Sequence, residues 1–103
     1  MRRSRLAQKL RQIRLTLGLT QQEMLDRLGE TRTPLYRGHI GEYETGKRQP
    51  PVLVLLQYAR VAGVPMEMLV DDEIDLPERL PGMPEYERMM KRLRAGKRQK
   101  GAA

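Results

Sequence analysis

Apolar residues at the start of the chain fall at helical spacing. Leu6, Leu10, Ile13 and Leu17 are separated by polar stretches carrying Lys9, Arg11 and Arg14, which predicts an amphipathic helix over 5–17, buried along one stripe. Ser4 is its candidate cap and Gly18 its stop. Thr20 and Glu23 then stand at capping-box spacing ahead of Met24, Leu25 and Leu28, predicting a second helix over 21–28 closed by Gly29. Thr33 followed by Pro34 reads as the start of a third, with threonine as cap, proline in the first turn and Gly46 as stop. Its apolar positions are Leu35, Ile40 and Tyr43, which leaves Tyr36, Arg37, His39 and Glu42 on other faces. Gly38 and Gly41 inside this segment each cost about 1 kcal/mol of helix stability relative to alanine, so neighbouring elements must hold it helical.

Pro50 and Pro51 cannot continue that helix. The run VLVLLQYARVA over 52–62 is apolar nearly all round, which predicts a central, buried helix. Gly63, Val64 and Pro65 end it, and Met66 to Val70 form a last short helix. With no alternating strand pattern, the fold class is all-α, five helices over residues 1–70. Residues 71–84, DDEIDLPERLPGMP, hold three prolines and a glycine and read as an extended, Pro-rich linker. In residues 85–103, Tyr86, Met89, Met90 and Leu93 recur at helical spacing within a basic segment, a C-terminal helix to about residue 95 that needs a surface to form, since a dozen isolated residues are marginal in water. Its end, from Gly96, is expected to be disordered.

Composition removes several functions. Among 103 residues there is no cysteine and one histidine, His39, so disulfide scaffolds, thiolate chemistry and His/Cys zinc sites are excluded. There is no nucleophile and base pairing and no phosphate-cradling glycine loop, so no enzyme, catalytic residue, metal or cofactor is expected. No segment has the roughly 18 consecutive apolar residues of a membrane span. The basic N-terminus lacks a following apolar run and cleavage site, so a cytoplasmic location without a membrane partner is expected. Charge adds a positive indication: the net +7 divides into 11 basic against 5 acidic residues over 1–48, 2 against 6 over 49–83, and 7 against 2 over 84–103. A basic front, acidic waist and basic tail suit a polyanion on one side of the molecule, although a solvated surface accounts for the charge alone equally well.

A short capped helix, a glycine-bearing connector and a second short helix, flanked by helices that supply a core, describe a helix-turn-helix DNA reader. At this point the sequence resembles a known family, the phage-repressor and Cro-like helix-turn-helix proteins, also called the xenobiotic-response-element (XRE) family. The resemblance runs from about Leu6 to Asp72. It rests on Ile13-Arg14, Gly18-Leu19-Thr20-Gln21, Leu28-Gly29, the run Ile40-Gly41-Glu42-Tyr43-Glu44-Thr45-Gly46-Lys47-Arg48-Gln49-Pro50, and Leu55 to Leu69 with Ala62-Gly63-Val64-Pro65. Three features depart from the family. Glu44 lies 15 positions after Gly29, so either the turn is longer than usual or the helix begins earlier. Leu25 stands where alanine is usual and Gly41 where serine is usual, which suggests a compensating exchange between the facing helices.

The resemblance implies a recognition helix in the major groove. Arg37, Gly38 and Glu42 would face bases, with His39 beside them. Arg37 would suit guanine and Glu42 a cytosine amino group. Gln21 at the start of the second helix, and Thr45, Lys47 and Arg48 past the third, would meet phosphates. Arg14 and Glu44 correspond to an ion pair between the first and third helices. The implied function is a sequence-specific transcriptional regulator of double-stranded DNA, acting as a homodimer through Met66–Val70 or the tail. Two other readings stand beside it: an antitoxin-type regulator whose tail binds a toxin as protein partner, and a protein or RNA interaction module that does not read sequence.

Overall fold

The first helix, α1 (Leu6–Thr16), buries Leu6, Leu10 and Ile13, with Leu17 just past its end, along the anticipated stripe. In the computed structural model, which describes residues 5–82, it is followed by α2 (Gln21–Leu28), α3 (Arg37–Thr45), α4 (Val52–Ala62) and α5 (Glu67–Val70), with no strand among the described residues. α3 packs on α1 and α2, α4 on α2 and α1, and α5 on α1. Their shared core includes Leu10, Ile13, Met24, Ile40, Val54, Tyr58 and Leu69, each fully buried.

Local chemistry sets the ends of α2. The Thr20 hydroxyl accepts from the Glu23 backbone N–H at 3.1 Å, and the Glu23 carboxylate accepts from the Thr20 N–H at 2.9 Å, so two otherwise unpartnered donors are satisfied at once. The Thr20 backbone N–H first, and its hydroxyl second, hold the Glu23 carboxyl below its ordinary range. α1 is closed differently. Its flanking Arg5 N–H donates to the Asp72 carboxylate at 3.0 Å, which brings a negative charge to a helix N-terminus from far along the chain. The candidate cap Ser4 lies outside the described residues.

The third helix starts later than Thr33-Pro34 suggests. Tyr36 is extended (φ −122°, ψ 159°) and α3 begins at Arg37. Pro34 suits a first helical turn, but residues 29–36 are held down elsewhere. Buried Thr31 donates its hydroxyl to the Thr33 carbonyl at 2.8 Å, and the Gln57 amide of α4 donates to the Glu30 carbonyl at 2.9 Å. The long spacing between Gly29 and Glu44 is therefore a folded connector, in which Arg32 takes a left-handed conformation (φ 63°) at a cost on the order of 1 kcal/mol. α3 ends at Gly46, whose φ of 78° allows the Lys47 N–H to reach back to the Glu42 carbonyl at 2.9 Å.

Two other expectations are corrected. α4 is not buried all round: Val54, Leu55, Tyr58, Ala59 and Ala62 are covered, whereas Val52 is 67 % exposed and Leu53 39 %, so the two residues that open the helix face solvent. Nor does Leu25 fill the space over Gly41. The three atoms nearest to a Cβ added there all belong to Gln21, the closest being Nε2 at 3.3 Å.

Residues 71–82 contain neither helix nor strand, yet they are packed onto the helices. Leu76 and Leu80 are buried in the common core. Gly82 comes so close to α4 that its N–H donates to the Ala62 carbonyl at 3.0 Å and a Cβ would stand 1.9 Å from the Val61 carbonyl oxygen. Lys9, read from the pattern as one of the polar positions of α1, is instead only 2 % exposed. Its ammonium donates to the carbonyls of Met68, Asp71 and Ile74 at 2.6, 2.7 and 2.6 Å. All three of its protons are used, as a buried cation requires. Arg5 adds an ion pair with Asp75 and a bond from its guanidinium to the Asp72 carbonyl at 2.7 Å. The tail over 85–103 lies outside the described residues.

Candidate nucleic-acid interface

The surface formed by α2 and α3 is built from the back forward. Ile40 and Tyr43 of α3 enter the core. Between them and α1, the Arg14 guanidinium grips the Glu44 carboxylate at two points, Nε to Oε2 at 2.7 Å and Nη2 to Oε1 at 3.0 Å, while Nη1 donates to the Leu19 carbonyl at 3.0 Å. The side chains are 13 % and 4 % exposed. Such a two-point, fully bonded pair fixes orientation as well as distance. Glu44 holds Arg14 more firmly protonated, by hydrogen bond first and by charge second, against the opposing effect of burial. Tyr58 lies close enough that its phenol is pushed up, by burial first and by the Glu44 charge second. Its hydroxyl has no hydrogen-bond partner among the described residues.

With its back clamped, α3 turns Arg37 and Gly38 fully outward. Among the described residues Arg37 has no hydrogen-bond or ion-pair partner, and a Cβ added at Gly38 would meet nothing within 4 Å beyond its own helix backbone and chain neighbours. Arg37 shares a shallow concavity with Arg14, Thr20, Gln21 and Gln22, so the first turn of α3 and the N-terminus of α2 open on the same space. The backbone N–H groups at the start of α2 carry partial positive charge toward it. Gln21 is half-buried, resting over Gly41. Gln22, which the sequence pattern does not single out, is exposed at the rim and bonds to Asp26 at 3.1 Å.

The remaining candidate residues are divided. Lys47 and Arg48 are exposed on the loop after α3. Arg48, however, donates to the half-buried Glu42 at 2.5 Å, and this bond holds the Glu42 carboxyl below its ordinary range. Thr45 uses its proton inside the helix, on the Gly41 and Glu42 carbonyls at 3.0 and 3.3 Å. His39 is turned back toward the start of α3. Its Nδ1 accepts the Tyr36 backbone N–H at 2.9 Å, and the His39 backbone N–H donates to the Tyr36 carbonyl at 2.9 Å. Its ring stands between those of Tyr36 and Tyr43, with centroids 5.7 and 6.3 Å away. The acidic groups on α3 are thus each paired with an arginine, and among the described residues Arg37 and Lys47, at its two ends, make no ion pair.

A helix that presents its first turn beside the N-terminus of the helix before it, with a third helix clamping it from behind, is a helix-turn-helix. The match to a family model described as helix-turn-helix, covering residues 10–69, agrees with that geometry. The chain belongs to this family, in its Cro/C1-type or XRE branch, whose members bind DNA. Comparison with curated proteins and with solved structures finds no match. No described helix is long and apolar enough to cross a membrane, and no group of His, Cys, Asp and Glu among the described residues could hold a metal ion.

Proposed function

We propose that this chain is a sequence-specific transcriptional regulator that places α3 in the major groove of double-stranded DNA and acts in the cytoplasm as a homodimer on a two-fold related site. The observation that carries this reading is Arg37: a guanidinium without a partner among the described residues, on the first turn of a helix clamped from behind, with a bare glycine next to it. A planar fork presented in this way matches the O6 and N7 acceptors of guanine. Lys47 and the N-terminus of α2 with Gln21 supply flanking phosphate contacts, which set register without reading sequence. Arg48 joins them once it exchanges Glu42 for a phosphate. Glu42, so released, can accept from a cytosine amino group. The homodimer follows from the limited surface of a single module, about 600–1,000 Å².

Selection of binding sites from random duplex DNA tests this reading. The wild-type chain should enrich one site. Arg37→Ala should relax preference at one base pair, at a cost of about 1–3 kcal/mol. Lys47→Ala should weaken all sequences alike and lower the salt slope by about one. Equal enrichment of all sequences by the wild-type chain would defeat the proposal.

A further inference from the structure

Tyr36 is 69 % exposed, the most exposed of the large hydrophobic side chains among the described residues, and it stands immediately before Arg37. Its position is not loose. The N–H of Tyr36 is bound by His39 Nδ1 at 2.9 Å, its carbonyl accepts the His39 N–H, and its ring leans on the His39 ring, itself stacked on buried Tyr43. The folded connector of residues 29–36 delivers Tyr36 to this place in extended conformation. The ring is braced by the His39 ring and is otherwise largely exposed, and a Cβ at Gly38 would meet no side chain within 4 Å. A braced aromatic ring beside an arginine that has no partner among the described residues is suited to a base edge that offers an apolar group.

We infer that Tyr36 is a specificity-determining residue that packs its ring on the C5-methyl group of a thymine next to the base pair met by Arg37, with His39 as the residue that positions it. The inference rests on the proposed DNA-reading function and adds to it a contact made by the connector and not by α3. The thymine methyl is the one apolar feature in the major groove, and the ring is held before binding, so little side-chain freedom remains to be lost.

The test uses the full-length chain and the duplex selected above, in versions carrying deoxyuridine for each thymine in turn. Deoxyuridine lacks the methyl group and keeps the pairing. One such replacement next to the Arg37 position should weaken wild-type binding about fourfold, the worth of one buried methyl group. Tyr36→Ala should bind the selected site about tenfold more weakly, as the ring's whole contact is lost, and should be insensitive to that replacement. Tyr36→Phe should match the wild type. His39→Gln keeps an acceptor for the Tyr36 N–H but no ring, and should lose about threefold, the cost of ordering one side chain. The inference is overturned if Tyr36→Phe loses as much as Tyr36→Ala, which would assign the contact to the hydroxyl and a phosphate. Equal loss on random DNA, or no thymine coupled to Tyr36, would overturn it too. If the wild-type chain selects no site at all, the DNA-reading proposal itself has failed; a selected site indifferent to Tyr36 sinks this inference alone.

Discussion

Ile40, Tyr43 and Glu44 on the inner side of α3 are buried, and Glu44 is gripped at two points by Arg14, whereas Arg37 and Gly38 on the outer side touch little of their own molecule. The inner side carries the free energy. Gly38 and Gly41 together cost about 2 kcal/mol of helix propensity, and burial of one isoleucine and one tyrosine, at about 1.5–3 kcal/mol for a large side chain, offsets it. The outer side is thereby relieved of any part in stability and can be shaped for a partner. Substitutions should separate the two sides cleanly.

The largest effect is expected on the inner side. Glu44→Ala would leave the Arg14 guanidinium in a nearly buried site with only the Leu19 carbonyl as partner, and should cost about 3–5 kcal/mol in a urea titration. Replacing both partners, Arg14→Met with Glu44→Leu, should restore most of that loss, since the pair's attraction and its desolvation nearly cancel. A double variant as unstable as Glu44→Ala would mean that the pair itself, and not the avoidance of a lone charge, stabilises the fold.

Next in size is Lys9→Met, which keeps the apolar stem and removes three donors from the Met68, Asp71 and Ile74 carbonyls. The expected cost is about 3 kcal/mol, the value of a charged hydrogen-bond cluster after compensation. Cleavage by a protease within residues 71–82 should accelerate as well. The lysine was invisible to pattern reading for a physical reason. In the sequence it is one more basic residue beside a stripe, and its burial depends on carbonyl groups some 60 residues away, which carry no side-chain signature. Residues 71–82 are alike in this: their prolines and acids suggest a spacer, while Leu76 and Leu80 are core residues. By contrast, the helix stripes, the Thr20–Glu23 cap and the Gly46 stop were legible because their chemistry is local. Among the candidate contacts, exposure of Arg37 and Lys47 followed from their place on or just past α3. The turning of His39 toward Tyr36 did not, because it depends on where the helix starts, and that was decided by the connector.

On the outer side, Gly38→Ala should raise stability by about 1 kcal/mol, since its φ is unremarkable and a Cβ there meets nothing within 4 Å. If α3 enters a groove as proposed, the same change should weaken binding to the selected DNA, by inserting a methyl group between backbone and bases. Gly41→Ala should gain less, because the Gln21 amide, 3.3 Å from the added carbon, must shift. A change that stabilises the fold while impairing the partner is the opposite of Glu44→Ala, and it would place the two faces of one nine-residue helix under separate control.

The smallest effect distinguishes the two ion pairs of α3. The Glu42 carboxyl is held below its ordinary range, by the hydrogen bond from Arg48 first, with the Arg48, His39 and Lys47 charges assisting against desolvation. A carboxyl whose folded value is depressed contributes stability above its unfolded pKa, near 4.3, and that contribution disappears as pH falls through the lower, folded value. Both partners are about half exposed, so screening keeps the contribution small. Glu42→Gln should therefore differ from the wild type slightly at neutral pH and converge on it in acid, and 1 M salt should erase the difference at every pH. DNA affinity should respond in the opposite sense: protonating or amidating Glu42 frees Arg48 for a phosphate and strengthens non-specific binding. The Arg14–Glu44 pair, shielded from solvent, should be indifferent to the same salt, and a stability loss in salt comparable for both pairs would remove the distinction between a clamped inner face and a solvated outer one.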